Sequence, residues 1–500
     1  MKLFDLLEHN RPSHPAIVVA GGGPTLSYEQ LQQQVDALAK ELKRFGINRG
    51  DRVAMALPNG LEMIVSFLAA TVAATAAPLN PGYKLDEFRF YLEDTSACAL
   101  IVPPTGMDEA KSAAGDKTFI IEADLNAHGQ VSFESPASGA SKKADNPDSD
   151  DIALVLHTSG TTSRPKRVPL SHRNLLASSR TVAETYKLTP DDVSLCVMPL
   201  FHVHGLVAST LATLATGGTV VIAPRFNPLS FWSTVRDHGV SWYSAVPTIH
   251  QILLSRNKGE GRPPGAEQLR FIRSCSAALP PPIMEELERK FGVPVLEAYG
   301  MTEAAHQMAS NPLSPGKRKP GSVGRETGVR IAILDERGDE IPNGGKGEIA
   351  IKGAGVFNGY EENPEANANS FTNGWFRTGD QGYLDGEGYL TLVGRLKELI
   401  NRGGEKIAPQ EIDEALVAHP AVSDAVCFSV PDRIYGEEVA AAVVLNSPET
   451  EAALIEHCQS LLADFKCPKK IHIVQVIPRT ATGKIQRRNV AAEIAKLGTQ

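Results

Sequence analysis

Between residues 26 and 299, short apolar runs alternate with helix-length stretches, and that alternation constrains the fold more than any other feature of the chain. A helix-like segment at 28–45 leads into an apolar run at 52–57. Further strand candidates stand at 99–102, 118–121, 151–156, 194–198, 219–222, 240–243, 269–273 and 295–299. Helices are expected at 174–186, 205–215, 229–237 and 247–254, and another after Pro280-Pro281-Pro282, because proline is tolerated in a first turn. Strands separated by helices fold into a layered α/β architecture. In open sheets of this kind a ligand sits at the carboxyl ends of the strands, so chemistry is expected in the loops after Leu156, Met198, Arg273 and Ala298.

With 500 residues the chain is too long for one core, and its texture changes along its length. Residues 321–392 carry short strands with Gly turns, expected as a small β-subdomain inside a large N-terminal domain spanning 1–394. Beyond Gly394, helices at 409–417 and 450–462 interleave with strands at 424–430 and 439–445, so 395–500 is expected to be a smaller α+β domain. The segment 134–151, rich in Ser, Pro, Ala, Lys and Asp, is an exposed connection.

That connection feeds Leu156-His157-Thr158-Ser159-Gly160-Thr161-Thr162-Ser163-Arg164-Pro165-Lys166-Arg167. An apolar run precedes this stretch, and Ser171 can cap a helix beginning near His172. Strand, polyhydroxyl loop and helix together suit a phosphate cradle. The hydroxyls and the backbone N–H groups around Gly160 can donate to phosphate oxygens, and Lys166 supplies a mobile charge. The Walker spacing fails, because Lys166 lies between Pro165 and Arg167. A polar surface turn is the competing reading of this stretch taken alone.

Four later clusters have chemistry to offer. In Glu297-Ala298-Tyr299-Gly300-Met301-Thr302-Glu303, the Tyr299 ring can stack on a base, Thr302 can donate to phosphate, and Glu303 is a hard oxygen ligand suited to Mg²⁺. In Trp375-Phe376-Arg377-Thr378-Gly379-Asp380, a carboxylate on a turn can accept from a ribose diol. Gly394-Arg395-Leu396-Lys397 leads to Gly403-Gly404 and suits a hinge, while Thr480-Ala481-Thr482-Gly483-Lys484 presents one lysine from a small-residue loop. Each cluster alone also reads as an ordinary cap, turn, linker or basic tail.

Taken together and in this order, the five motifs resemble those of the adenylate-forming superfamily of acyl-CoA synthetases, aryl-CoA ligases, luciferases and peptide-synthetase adenylation domains. The resemblance covers essentially the whole chain. It implies ATP, Mg²⁺ and coenzyme A as cofactors and two half-reactions, formation of an acyl adenylate and then of a thioester. Thr158, Ser159, Gly160, Thr161, Thr162 and Lys166 would hold the β- and γ-phosphates. Tyr299 would stack on adenine, Thr302 would contact the α-phosphate, Glu303 would bind Mg²⁺, and Asp380 with Arg395 would hold ribose. Lys484 would drive adenylation; rotation about a hinge at Lys397 would then bring Gly403 and Gly404 to line a tunnel for the pantetheine arm. One departure is Arg167, where the family commonly has glycine; the extra cation could crowd or assist phosphate binding.

Within that superfamily the Thr161-Thr162-Ser163-Arg164-Pro165-Lys166 loop and the polar run 304–313 resemble the oxalate–CoA ligase branch of plants and fungi. A dicarboxylic acid is therefore the expected substrate, its second carboxylate met by His202, Ser276 and His306. A fatty-acid or aryl-acid CoA ligase is one alternative, and a module that loads a carrier protein in trans is another. The net charge of −8 argues against nucleic acid as a partner, and six scattered cysteines argue against a zinc site and for a reducing compartment. The apolar stretches 64–77 and 206–223 are too short or too broken for membrane spans. With neither a secretory signal nor a Ser-Lys-Leu ending, a cytoplasmic monomer or weak homo-oligomer is expected.

Overall fold

The computed structural model describes residues 1–8, 11–135, 147–158, 165–257, 259, 261–480 and 484–497. The expected connection 134–151 lies largely outside them. Two large sheets carry the N-terminal part. One is nine-stranded, and its parallel centre runs Val295–Met301, Phe271–Ser274, Trp242–Ala245, Val193–Cys196, Thr219–Ile222, Pro15–Val19. The other is seven-stranded, with Phe119–Leu125, Ala99–Val102, Arg52–Met55 and Thr75–Pro78 in parallel at its centre.

The largest core lies between these sheets, and its central element is the helix Leu61–Ala73. This segment is apolar on every face because it is covered on every face: Leu61, Met63, Ile64, Val65, Phe67 and Leu68 are all buried. The apolar run at 64–77 is therefore a core helix followed by a sheet strand. No helix among the described residues is long and apolar enough to cross a membrane.

A third sheet, built from Arg330–Leu334, Gly347–Lys352, Trp375–Leu384, Phe371–Thr372 and Leu390–Arg395, is antiparallel throughout and forms the expected β-subdomain. The fourth draws only on residues from Ile400 onward. Its long hairpin, Val422–Asp432 with Gly436–Leu445, is flanked by the helices Pro409–Val417 and Glu451–Leu461. The molecule is thus a large α/β domain followed by a small α+β one.

One local expectation changes in this part of the chain. The helix expected at 205–215 is a wide π-helical segment, His204–Leu211, running on into Ala212–Leu214. Gly205 packs against the preceding turn so closely that a Cβ would lie 2.4 Å from the Pro199 carbonyl oxygen.

Candidate active site

A second strand stands between residues 159–164 and the expected helix start at His172. Ile152–Thr158 pairs antiparallel with Lys166–Ser171, and Thr158 stands opposite Lys166. Val168 and Leu170 are buried while Arg167 and Pro169 are less so, the alternation that makes a strand. Pro169 is tolerated because this strand ends its sheet. Only then does the helix His172–Thr185 begin, with the Ser171 hydroxyl accepting from the Asn174 N–H at 3.2 Å as expected. Ser159, Gly160, Thr161 and Thr162 lie outside the described residues.

Lys166 emerges with its Nζ 4.4 Å from the centre of the Tyr360 ring. Burial and the nearby Lys397 charge hold its pKa below the usual lysine range. Arg167 points elsewhere: it bonds the Asp94 carbonyl and the Glu362 carboxylate, with Asp94 and Glu361 carboxylates at 3.6 and 3.7 Å. Its charge is met by these acids.

Thr302 and Glu303 form a single 3-10 turn at the end of Val295–Met301, and both are buried. Gly300 makes that turn possible. A Cβ there would sit 2.0 Å from the His306 carbonyl oxygen, so only glycine lets His306–Ser310 return beside the strand it follows. The polar run after Glu303 is thus an antiparallel strand, with Ala305 and His306 at φ 51° and 135°. Such non-glycine positions are strained and collect at functional sites.

Tyr299 donates its hydroxyl to Asp380, and Asp380 lies 3.0 Å from Arg395 Nε. Asp380 was expected on a turn. It lies inside the strand Trp375–Leu384 and pairs in register with Arg395, so that cross-strand pairing fixes the ion pair. Lys397 is exposed in the turn Leu396–Glu398. Gly403 and Gly404, at φ 60° and 103°, form the exposed two-residue turn between Ile400–Arg402 and Glu405–Ile407.

Lys484 reaches the N-terminal site although it comes from the small domain. Burial lowers its pKa, with further influence from Arg395, Glu303, Cys275 and Asp380. Its own charge in turn disfavours protonation of His202, His204 and His306.

Behind these histidines stands a buried guanidinium. Arg273, fully buried, donates to the Tyr186 hydroxyl, the Ser244 hydroxyl and His306 Nε2, each at 2.9 Å, and to Gln307 Oε1 at 3.1 Å. Every one of these acceptors is neutral, and among the described residues no carboxylate pairs with Arg273. Ser244 passes the network on to His204 Nε2 at 2.6 Å, and His204 Nδ1 meets the Ser276 hydroxyl at 2.9 Å. The His204 and His306 rings stack with centroids 5.3 Å apart.

This network bears on how His202, Ser276 and His306 could meet a second carboxylate, as donors or as positive charge. Burial pushes the His202 pKa down to about 3 and that of His306 well below its usual value, which favours the donor reading over the charged one. A protonated His306 would also have no lone pair for the Arg273 bond. The histidines are neutral donors and acceptors, and the charge is that of Arg273. From the sequence, Arg273 only marks the start of a loop where chemistry is expected. The available signal was an arginine closing an apolar strand, a costly group to bury.

The site therefore brings together Lys166, Tyr299, Thr302, Glu303, Asp380, Arg395, Lys484 and the Ser276–His306 pocket, and leaves Gly403 and Gly404 outside it. Among the described residues no cluster of three His, Cys, Asp or Glu groups could hold a metal alone. A Mg²⁺ at Glu303 would take one protein carboxylate and complete its shell with phosphate and water oxygens. That pattern suits the ion.

A family model for the AMP-binding enzyme matches residues 7–361, and one for the AMP-binding enzyme C-terminal domain matches 411–484. The chain belongs to the AMP-binding enzyme family. Within this family it is 47% identical over 496 residues to an oxalate–CoA ligase of Arabidopsis thaliana, spanning 96% of this chain and 95% of that one. It is also 47% identical over 480 residues to an oxalate–CoA ligase of Saccharomyces cerevisiae, spanning 90% and 88%. Among solved structures, ATP-bound MatB from Rhodopseudomonas palustris is 33% identical, with 99% of both chains covered and a TM-score of 0.88; its apo form scores 0.79. This AMP-binding enzyme, with Lys484 inserted in the N-terminal site, is thus closer in shape to the ATP-bound form.

Proposed function

We propose that the protein is an ATP-dependent acid–CoA ligase that converts oxalate, ATP and coenzyme A to oxalyl-CoA, AMP and diphosphate. The observation that carries the substrate is Arg273, a buried guanidinium with neutral partners directly behind His306, His204 and Ser276. A buried charge without a counter-ion is costly, and the second carboxylate of a short diacid supplies one. The relatives that carry the oxalate–CoA ligase name favour the same choice.

In the first half-reaction a substrate carboxylate oxygen attacks the α-phosphorus of ATP, the bond to the bridging oxygen breaks, and diphosphate leaves. Lys484 stabilises the charge that builds up, Lys166 holds the departing phosphates, and Thr302 donates to the α-phosphate. Asp380 and Arg395 hold the ribose beside Tyr299. Magnesium, when bound at Glu303, neutralises phosphate charge. In the second half-reaction the small domain turns about Lys397, withdrawing Lys484 and bringing Gly403 and Gly404 in. The thiol sulfur of coenzyme A then bonds the acyl carbon, its proton is released, and AMP leaves. Residues 1–394 and 395–500 are the two bodies of this motion. A reducing compartment such as the cytoplasm accords with six cysteines that form no disulfide.

The test is diphosphate release with oxalate, malonate, glycolate, acetate, octanoate and coumarate, with and without coenzyme A. Oxalate should lead, with glycolate and acetate far behind because they leave Arg273 without its counter-ion. Preference for octanoate or coumarate would overturn the substrate, and turnover unaffected by coenzyme A would overturn the acceptor.

A further inference from the structure

We infer that Tyr360 is a positioning residue that ties the lysine gripping the phosphates to the carboxylate holding the metal, so that the two are set as one unit. The inference rests on the roles proposed above for Lys166 and Glu303. Neither the motif order nor the family match assigns Tyr360 a part in the reaction.

Its two ends do different work. The Tyr360 hydroxyl donates to Glu303 Oε1 at 2.8 Å, while its ring face lies 4.4 Å from Lys166 Nζ. The bond fixes one carboxylate oxygen and leaves the other to a metal; outer partners of this kind orient a ligand and raise its affinity. The ring contact holds an ammonium group by attraction to the π-face without consuming any of its three donors. Lys166 is thus held in place, yet all its N–H groups remain available to phosphate oxygens.

Tyr360 itself is held from several sides. Its N–H donates to Asn367 Oδ1 at 2.7 Å, its carbonyl accepts from Asn367 Nδ2 at 2.8 Å, and the Phe357 ring meets it edge-on at 4.9 Å. The same segment also grips Glu303, and the residue next to Lys166, through their backbones. The Phe357 N–H donates to the Glu303 carbonyl at 2.8 Å, and the Glu361 N–H donates to the Arg167 carbonyl at 3.2 Å. The Glu361 carboxylate meets Arg52 at 2.7 Å, and Glu362 bonds the Arg167 side chain. Residues 357–362 therefore bridge the strand Lys166–Ser171 and the Thr302–Ala304 turn.

The two ends can be separated by substitution in the full-length protein. Tyr360→Phe keeps the ring and removes the hydroxyl; Tyr360→Leu removes both. ATP affinity without metal is read by calorimetry, and Mn²⁺ binding to the ATP complex by electron paramagnetic resonance, both without acid substrate. Tyr360→Phe should leave metal-free ATP affinity unchanged and weaken Mn²⁺ binding roughly tenfold. Tyr360→Leu should weaken Mn²⁺ binding similarly and also weaken metal-free ATP affinity about two- to fivefold. Unchanged Mn²⁺ binding in Tyr360→Phe, or equal loss of both affinities in that variant, overturns the inference. Glu303→Gln and Lys166→Met test the roles beneath it: if these variants keep metal and ATP affinity respectively, it is those roles that fail.

Discussion

Arg273 donates to His306 Nε2 at 2.9 Å, a bond that places the His306 proton on Nδ1 and keeps the ring neutral. For the proposed diacid substrate, the facing charge would then be that of the guanidinium, relayed by the ring and by Ser276. Replacing Arg273 with Gln should lower kcat/KM for oxalate by roughly 10- to 150-fold, the worth of hydrogen bonding to a charged group. Acetate, which has no second carboxylate, should be affected much less. The oxalate-to-acetate ratio is the measurement, because general loss of folded protein cancels from it. His306→Ala should narrow the same ratio, and an unchanged ratio in both variants would sink the pocket assignment.

Lys484 lies in the N-terminal site although its loop belongs to the small domain, where its N–H donates to the Thr480 hydroxyl at 3.0 Å. A cation delivered by a movable body can serve one half-reaction and be absent from the other. Lys484→Ala should slow diphosphate release at least a hundredfold. Conversion of supplied oxalyl adenylate to thioester should be preserved, and equal loss of the two steps would contradict the rotating-domain mechanism.

Arg167 gives a structural prediction in place of a catalytic one. Its side chain is 10% exposed and sits among Asp94, Glu361 and Glu362. Arg167→Gly removes the cation shared by Asp94, Glu361 and Glu362, of which Asp94 keeps His157 and Glu361 keeps Arg52, and should cost about 1–3 kcal/mol of stability, read by denaturant unfolding. Affinity for ATP should change less than about fivefold. A loss far beyond that would mean that Arg167 holds phosphate after all.

These assignments differ in how far the sequence could reach them. Elements set by local rules were legible: the helix Pro409–Val417 has the expected bounds, with proline in its first turn, and Ser171 caps the helix His172–Thr185. Register between distant strands was not. That Lys166 pairs back onto Thr158, and that Asp380 stands opposite Arg395 within a strand, depends on which edges meet. The buried network lay further still from the sequence. Arg273 meets a hydroxyl 87 positions away at Tyr186, and Tyr360 meets Glu303 across 57 positions. Spacing carries no information about contacts that packing alone creates.

Burial also sets how stability depends on pH. His172 and His250 are buried with pKa values pushed down to about 4, and Glu297 is buried with its own pushed up to about 8, burial being the main cause each time. As pH falls from 6.5 toward 4, the unfolded chain takes up protons that the two folded histidines refuse, so stability is lost. As pH rises from 4.5 toward 8, unfolded Glu297 releases a proton that the folded state retains, so its contribution is lost in the opposite direction. Each group changes stability by at most about 1.4 kcal/mol per pH unit within its window. Two histidines outweigh one glutamate below pH 6.5, and the glutamate acts alone above it, so these groups place maximal stability near pH 6.5. Glu297→Gln keeps an acceptor for the Leu279 N–H, bonded at 2.9 Å, and removes the titration. Urea unfolding at pH 5, 6.5 and 8 should therefore show a maximum for the wild type and a flattened alkaline limb for Glu297→Gln. Wild-type stability that kept rising from pH 6.5 to 8 would show that Glu297 is ionised in the folded protein.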